Sequence, residues 1–169
     1  MKNKMVNKCN SVNFDEKKIK LSIVGSGYFS QFHFDAWKRL DVDVAGICSL
    51  NEIEAKKYSE QFENCPVFSD FESMILATKP DLVDIIVPPL NHLKLIKIAS
   101  KNKVNIICQK PFTNSIKEAK EAIKIANKNC VTIAIHENFR YQPWYKKINK
   151  MLKDLLLGDL YQVSFRMRP

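Results

Sequence analysis

The stretch Ile19 to Trp37, IKLSIVGSGYFSQFHFDAW, decides how this chain is read. Its first six residues, Ile19 to Val24, form a β-rich apolar run that leads straight into Gly25-x-Gly27-x-x-Ser30. The glycines therefore stand at a strand-to-helix junction, where the dinucleotide fingerprint belongs. Gly25 allows the tight turn, Gly27 lets the backbone approach a pyrophosphate, and the small Ser30 lets helix and strand pack closely. A helix N-terminus favours the pyrophosphate charge. An ordinary glycine turn is the alternative; placement at the start of the first βαβ unit favours nucleotide binding.

Beyond this stretch, short β-rich runs alternate with helical ones, which predicts an α/β fold built on a parallel sheet. Six strands are expected: Ile19 to Val24, Val42 to Cys48, a weak one near Val67-Phe68, Leu82 to Val87, Val104 to Cys108, and Val131 to Ile135. The fourth, LVDIIV, is nearly continuous in apolar residues, as a strand covered on both faces should be. Ser115 and Glu118 make a capping box, opening a helix whose Ile116, Ala119, Ile123 and Ala126 share one face. Asn91 is expected to cap the helix that ends near Asn102, with the asparagine in the left-handed stop position.

After the sixth strand, RYQPWYKKINKMLKDLLLG places Pro143 in a first helical turn and Gly158 past the last. Trp144, Ile148, Met151, Leu152 and Leu155 are expected to make its buried face. From Leu160 to Arg168 the residues alternate with period two, which predicts a half-buried terminal strand in need of a sheet to join.

At 169 residues and 46% hydrophobic content, the chain is long enough for one well-packed domain. No apolar run approaches the roughly 18 residues needed to cross a bilayer. The opening MKNKMVNKCNSVNFDEKK lacks the apolar centre of a signal peptide, so no membrane role and a cytoplasmic location are expected. Residues 1–18 read as a loose polar leader. Five cysteines without a C-x-x-C pair argue against a disulfide framework and against a zinc site, so no metal is expected. Cys48, Cys108 and Cys130 read as small core residues. Of the net charge of +9, the first twenty residues contribute +4, with six lysines against Asp15 and Glu16, and the rest is scattered, which argues against nucleic-acid binding. Lys146, Lys147, Lys150 and Lys153 form a basic helical face best read as solvated.

About twenty residues past the glycine turn, NAD-binding domains carry an acidic residue for the ribose hydroxyls. Here the segment is Gly46-Ile47-Cys48-Ser49-Leu50-Asn51, without a carboxylate. Ser49, with Lys56 or Lys57, would accept a 2′-phosphate, so NADP is as plausible as NAD; Asn51 alternatively caps the next helix.

Four segments in order, GSGYFSQFH, VPPLNH, CQKPF and HENFRYQPWY, together resemble the Gfo/Idh/MocA oxidoreductases from Ile19 to Pro169. The resemblance implies a doubly wound Rossmann domain over 19–139, followed by a linking helix and the first strand of a substrate domain over 140–169. It implies a nicotinamide cofactor, NADP or NAD, and a sugar-like or polyol substrate. The glycine turn carries Gly25, Ser26, Gly27, Tyr28 and Phe29 as cofactor-binding residues, with His33 in the first helix. Pro88, Pro89, Asn91 and His92 would border the cofactor. The family's Glu-Lys-Pro falls on Gln109, Lys110 and Pro111, which makes Lys110 the catalytic candidate facing the nicotinamide and the substrate hydroxyl. Asn138 and Arg140, with Trp144, resemble the segment near nicotinamide and substrate; a capped turn, a surface ion pair and a core aromatic are the structural alternatives. His136, at the end of the sixth strand, admits either reading.

A positioned amine hydrogen-bonds the reacting oxygen or relays its proton, and burial lowers a lysine's pKa toward a useful range. Gln109 departs from the family glutamate: it keeps an acceptor and loses a negative charge. The family continues past FRMRP with an Asp and a His one helical turn apart, which have no counterpart here. Three readings follow: an oxidoreductase whose chemistry needs a partner chain or is incomplete, a non-catalytic NAD(P)-binding module, and a structural remnant whose last strand promotes self-association. A homo-oligomer or a complementary chain would pair with that strand.

Overall fold

The computed structural model of the chain describes residues 18–166 and divides into two units, with the boundary between His136 and Glu137. Six strands of the first unit, β1 (Ile19–Val24), β2 (Val42–Cys48), β3 (Val67–Phe68), β4 (Leu82–Ile85), β5 (Asn105–Cys108) and β6 (Ile133–Ile135), form one sheet in the order β3-β2-β1-β4-β5-β6. All its pairings are parallel. Helices α1 (Ser30–Trp37), α2 (Glu52–Ser59), α3 (Phe71–Thr78), α4 (His92–Lys101) and α5 (Ile116–Lys128) make the crossovers. The strand order reverses between β1 and β4, and this switch point is where an open α/β sheet leaves a crevice at its carboxyl edge.

Two cores flank the sheet. Leu21, Ile23 and Ile47 pack with Phe34 of α1 and Ala55 of α2 on one face. Val24, Cys48, Ile85 and Ile106 pack with Met74 of α3, Ile96 of α4 and Ala122 of α5 on the other. Burial on both faces explains the near-continuous apolar runs.

The last three strands are shorter than the sequence predicts. Val104 and Val131 are buried, but their N–H groups donate to Ala99 O at 3.0 Å and Ala126 O at 2.9 Å, closing the preceding helices instead of joining the ladder. The Ser115 cap forms, its Oγ accepting from Glu118 N at 3.2 Å, while Glu118 Oε2 accepts from Asn114 N at 3.2 Å. The buried side of α5 is centred on Ala122 and Ala126, and the expected Ile116 and Ile123 are exposed. Asn91 caps nothing, because a 3-10 turn over Pro89–Asn91 precedes α4. Asn102 keeps φ at −89°, and Lys103, at φ +61°, takes the left-handed position.

In the second unit a 3-10 turn over Phe139–Tyr141 leads into α6 (Pro143–Lys153), with Pro143 at its first position and Gly158, φ +64°, beyond its end. The expected terminal strand does not form: 160–166 joins no ladder, and no strand is present among the described residues of this unit to offer an edge. Met167 and Arg168, like the leader through Lys17, lie outside the described residues. Among the described residues, no helix is long and apolar enough to cross a membrane, and no cluster of three or more metal-ligating side chains occurs.

Cys130 is exposed, contrary to its reading as a core residue, whereas Cys48 and Cys108 are buried. Burial pushes the Cys48 thiol up to about 11. Burial, with the Asp84 charge nearby, pushes Cys108 up to about 12. The thiolate is the reactive form. At pH 8 in the native state, peptide mapping after iodoacetamide treatment should find Cys130 alkylated and Cys48 and Cys108 untouched; rapid native-state labelling of Cys108 would contradict this packing.

Candidate functional site

Strand β1 ends against the switch point. Gly25 N donates to Cys48 O of β2 at 2.9 Å, and Ile86 N, just past β4, donates to Val24 O at 2.8 Å. Between them Gly25 adopts φ +111°, and a Cβ there would overlap the Ile86 carbonyl. Two residues on, a Cβ at Gly27 would meet nothing within 4 Å. The turn is closed on the sheet side at Gly25 and open on the outer side at Gly27. Ser30 then pins it, its Oγ donating to Gly27 O at 2.5 Å. Ser30 N donates to Gly27 O at 2.9 Å, and no side chain caps α1, so the N–H groups that follow in its first turn keep their capacity for an anion.

Beside this turn lies a cleft of about 450 Å³. Of the residues expected at a cofactor site, Gly25, Ser26, Gly27, Ser49, Pro88 and Asn91 line it. The Ser26 and Ser49 hydroxyls are hydrogen-bonded to each other at 2.6 Å, and Ser49 Oγ accepts from Asn51 N at 3.0 Å. Asn51 also caps α2, its Oδ1 accepting from Glu54 N at 3.2 Å. Lys56 and Lys57 are not at the cleft: they pair with Glu52 at 2.8 Å and Glu54 at 3.1 Å. The cation lining the cleft is Lys94 of α4, which the sequence did not single out. Its carboxylate is Asp70, whose Oδ2 accepts from Ser73 N at 2.7 Å and caps α3. That hydrogen bond, helped by Lys94, holds the Asp70 carboxyl below the usual range.

The other expected residues lie outside this lining. Tyr28 and Phe29 are exposed and pack edge-on with ring centroids 5.5 Å apart. Pro89 sits in the 3-10 turn before α4. His92 is 0% exposed, so its expected place against a cofactor is not found. Its two ring nitrogens instead lie 2.9 Å from Phe112 O and 2.8 Å from Val87 O, and whichever carries the proton donates to the carbonyl before it. His92 thereby ties the loop after β4 to the segment after β5. Asn138 and Arg140 belong to the second unit, where the Arg140 guanidinium lies over the Tyr141 ring at 5.5 Å.

Gln109 and Lys110 follow β5 directly. Lys110 is exposed, so the burial expected to tune its amine is not found. Its peptide bond to Pro111 is cis. Gln109 Oε1 accepts from Lys110 N at 2.7 Å, and its Nε2 lies 2.8 Å from His33 Nε2. His33 in turn reaches Asp84 of β4. Sequence reasoning passed over Asp84; a carboxylate inside the apolar run LVDIIV was the available signal.

A family model described as "Oxidoreductase family, NAD-binding Rossmann fold" matches residues 19–137. The chain belongs to the Gfo/Idh/MocA oxidoreductase family. A D-apiose dehydrogenase from Paraburkholderia graminis is 29% identical over 153 residues, covering 89% of this chain and 41% of the relative. A crystal structure of an oxidoreductase from Agrobacterium radiobacter with NAD+, L-tartaric acid and magnesium superposes with a TM-score of 0.80 at 28% identity, covering 85% of this chain and 42% of the other. Scyllo-inositol dehydrogenase from Lactobacillus casei, with NAD(H) and scyllo-inositol, shares the fold at a TM-score of 0.79 and 20% identity, covering 85% of this chain and 43% of that one. The chain spans about two fifths of the length of these relatives. An open Gly27, uncapped helix donors and a polar-rimmed cleft at the switch point fit the NAD of this family's Rossmann fold.

The two glycines separate stability from binding. Gly25→Ala should cost about 3 kcal/mol, overpacking and backbone strain each contributing roughly 1–3. Gly27→Ala should stay within about 0.5 kcal/mol of the parent. Urea unfolding of both variants checks this; equal losses would contradict the difference between the two positions.

Proposed function

We propose that this chain forms the cofactor-binding part of a dehydrogenase that moves hydride between a nicotinamide and a hydroxyl-bearing carbon of a sugar-like or polyol substrate. The observation that carries the reading is the cleft at the β1/β4 switch point, entered by an open Gly27 turn. In it, Gly27 and the first turn of α1 hold the pyrophosphate, with the Ser26 and Ser49 hydroxyls beside it. Asn51, Asp70 and Lys94 lie around the adenosine ribose, and Pro88 and Asn91 border the opposite wall. Tyr28, Phe29, Pro89 and His92 support these contacts from outside the lining. The bound nicotinamide supplies hydride chemistry.

Lys110 is the acid/base candidate. As hydride leaves a carbon, its hydroxyl loses a proton, and an amine at the end of β5 donates a hydrogen bond to that oxygen or relays the proton. Gln109 sets the backbone from which the amine projects. Asn138 and Arg140 are assigned to the substrate side on the resemblance of their segment. Sugar or polyol substrates are inferred from the printed activities of the relatives, a D-apiose dehydrogenase and a scyllo-inositol dehydrogenase. Ser49 stands at the end of β2 in place of a carboxylate, and Lys94 offsets the charge of Asp70 in the lining, so NADP is accepted as well as NAD.

Fluorescence titration of the 169-residue chain with NADH and NADPH tests this reading. Saturable binding is expected with both, lost by at least about tenfold in Gly27→Asp, which puts a like charge beside the pyrophosphate. Lys110→Ala should keep binding, and Lys94→Ala should weaken NADPH more than NADH. Folded protein that binds neither nucleotide would overturn the proposal.

A further inference from the structure

We propose that Asp84, His33 and Gln109 form a relay of fixed hydrogen-bond direction, buried at Asp84 and His33 and half-buried at Gln109, that positions the Lys110 peptide and holds His33 as its Nδ1–H tautomer. The polarity of its two ends fixes the direction of the relay. At one end, Lys110 N is a backbone amide that only donates, so the Gln109 atom 2.7 Å away is its carbonyl oxygen. The other terminus of that side chain is then its NH2 group, which also only donates. It faces His33 Nε2 at 2.8 Å, so this ring nitrogen must accept and carries no proton.

The proton sits on His33 Nδ1, which donates to Asp84 Oδ2 at 2.8 Å. At the far end Trp37 Nε1, a donor without acceptor capacity, donates to the same Asp84 oxygen at 2.7 Å. Two irreversible donors, a peptide N–H and an indole N–H, therefore bracket the chain, and no flip of the amide or ring satisfies every member. Burial makes this binding: Asp84 is 0% exposed and His33 5%. A mispaired donor or acceptor at Asp84 or at His33 Nδ1 would bear its full desolvation cost.

The groups around the imidazole are accounted for. His136, past β6, lies with its ring centroid 4.5 Å from that of His33, and burial holds its own pKa below the usual value. Cys108 is a buried thiol pushed up to about 12. Asp84 Oδ1 finds no partner among the described residues, so Oδ2 carries both hydrogen bonds the carboxylate makes.

The role of glutamine at 109 follows. A carboxylate there would still accept from Lys110 N but would present an acceptor to His33 Nε2. Two carboxylates would then flank one imidazole, and both are satisfied only if the ring carries both protons. Gln109 keeps the ring singly protonated and the amide of Lys110 tied down. Calling Asp84, His33 and Gln109 positioning residues for Lys110 rests on the proposed function, whereas the tautomer does not.

The sequence holds only three histidines, which suits the test. In the full chain labelled with 15N-histidine, long-range 1H–15N correlation at pH 7 should show His33 with a protonated Nδ1 and a pyridine-type Nε2, assigned against His136→Gln. In Gln109→Glu the pyridine-type signal of His33 should disappear as both nitrogens become protonated, and in a uniformly 15N-labelled sample the Lys110 amide should shift. A wild-type His33 with its proton on Nε2 would overturn the relay without any variant, so a Gln109→Glu chain that fails to fold leaves the test intact. An unchanged pyridine-type signal in a folded Gln109→Glu chain would overturn it too. Loss of NADH binding alone bears on the proposed function and leaves the tautomer result standing.

Discussion

The carbonyl of Ile86 occupies the space that a side chain at residue 25 would need, and that contact sets the geometry of the whole carboxyl edge. Glycine at φ +111° lets β1 turn away at the point where β2 and β4 are still bonded to it, through Gly25 N to Cys48 O and Ile86 N to Val24 O. With the turn pressed onto the sheet, Gly27 is left facing outward and α1 starts without a side-chain cap. The cleft is what remains between this turn, the segments that follow β2, β3 and β4, and α4.

The clearest parts of the sequence were those set by short-range chemistry. β1, β2 and β3 fall where the apolar runs placed them, and Ser115 and Asn51 cap the helices they precede. Parallel strands buried on both faces need continuous apolar residues, and a cap needs one side-chain oxygen near one amide, so both leave local traces. The boundaries that shifted were those decided by hydrogen bonds made elsewhere. Val104 and Val131 look like strand in composition, but their amides close helices. Asn91 had the composition of a cap and was displaced from that role by the 3-10 turn that Pro89 begins.

At the site, the residues on the rim of the sheet were readable and the supporting layer was not. Gly25, Gly27 and Ser49 stand at fixed offsets from strand ends and line the cleft. Lys94 joins them from the first turn of α4, a position that follows from the angle of the helix and leaves no local motif. His92 by itself reads as a helix-end residue, and only the family resemblance makes it a cofactor-loop residue. Its ring faces inward instead and bridges Val87 and Phe112, which are 25 residues apart in the chain and adjacent only after β4 and β5 have paired.

Asp84 shows what the supporting layer costs. Removing a carboxylate from water is expensive by several kcal/mol, and a well-packed apolar residue in its place is often neutral or stabilising to a fold. Two donors, from His33 and Trp37, offset part of that cost through one oxygen, while the other has no partner among the described residues. An aliphatic side chain in β4 would suit a sheet covered on both faces, yet it would leave the His33 Nδ1 proton and the Trp37 indole without their acceptor. Gln109 would then lose the ring orientation that holds its amide, and the Lys110 peptide would lose its only side-chain hydrogen bond among the described residues. The buried charge is thus better understood as an ordering device for the end of β5 than as a contribution to stability.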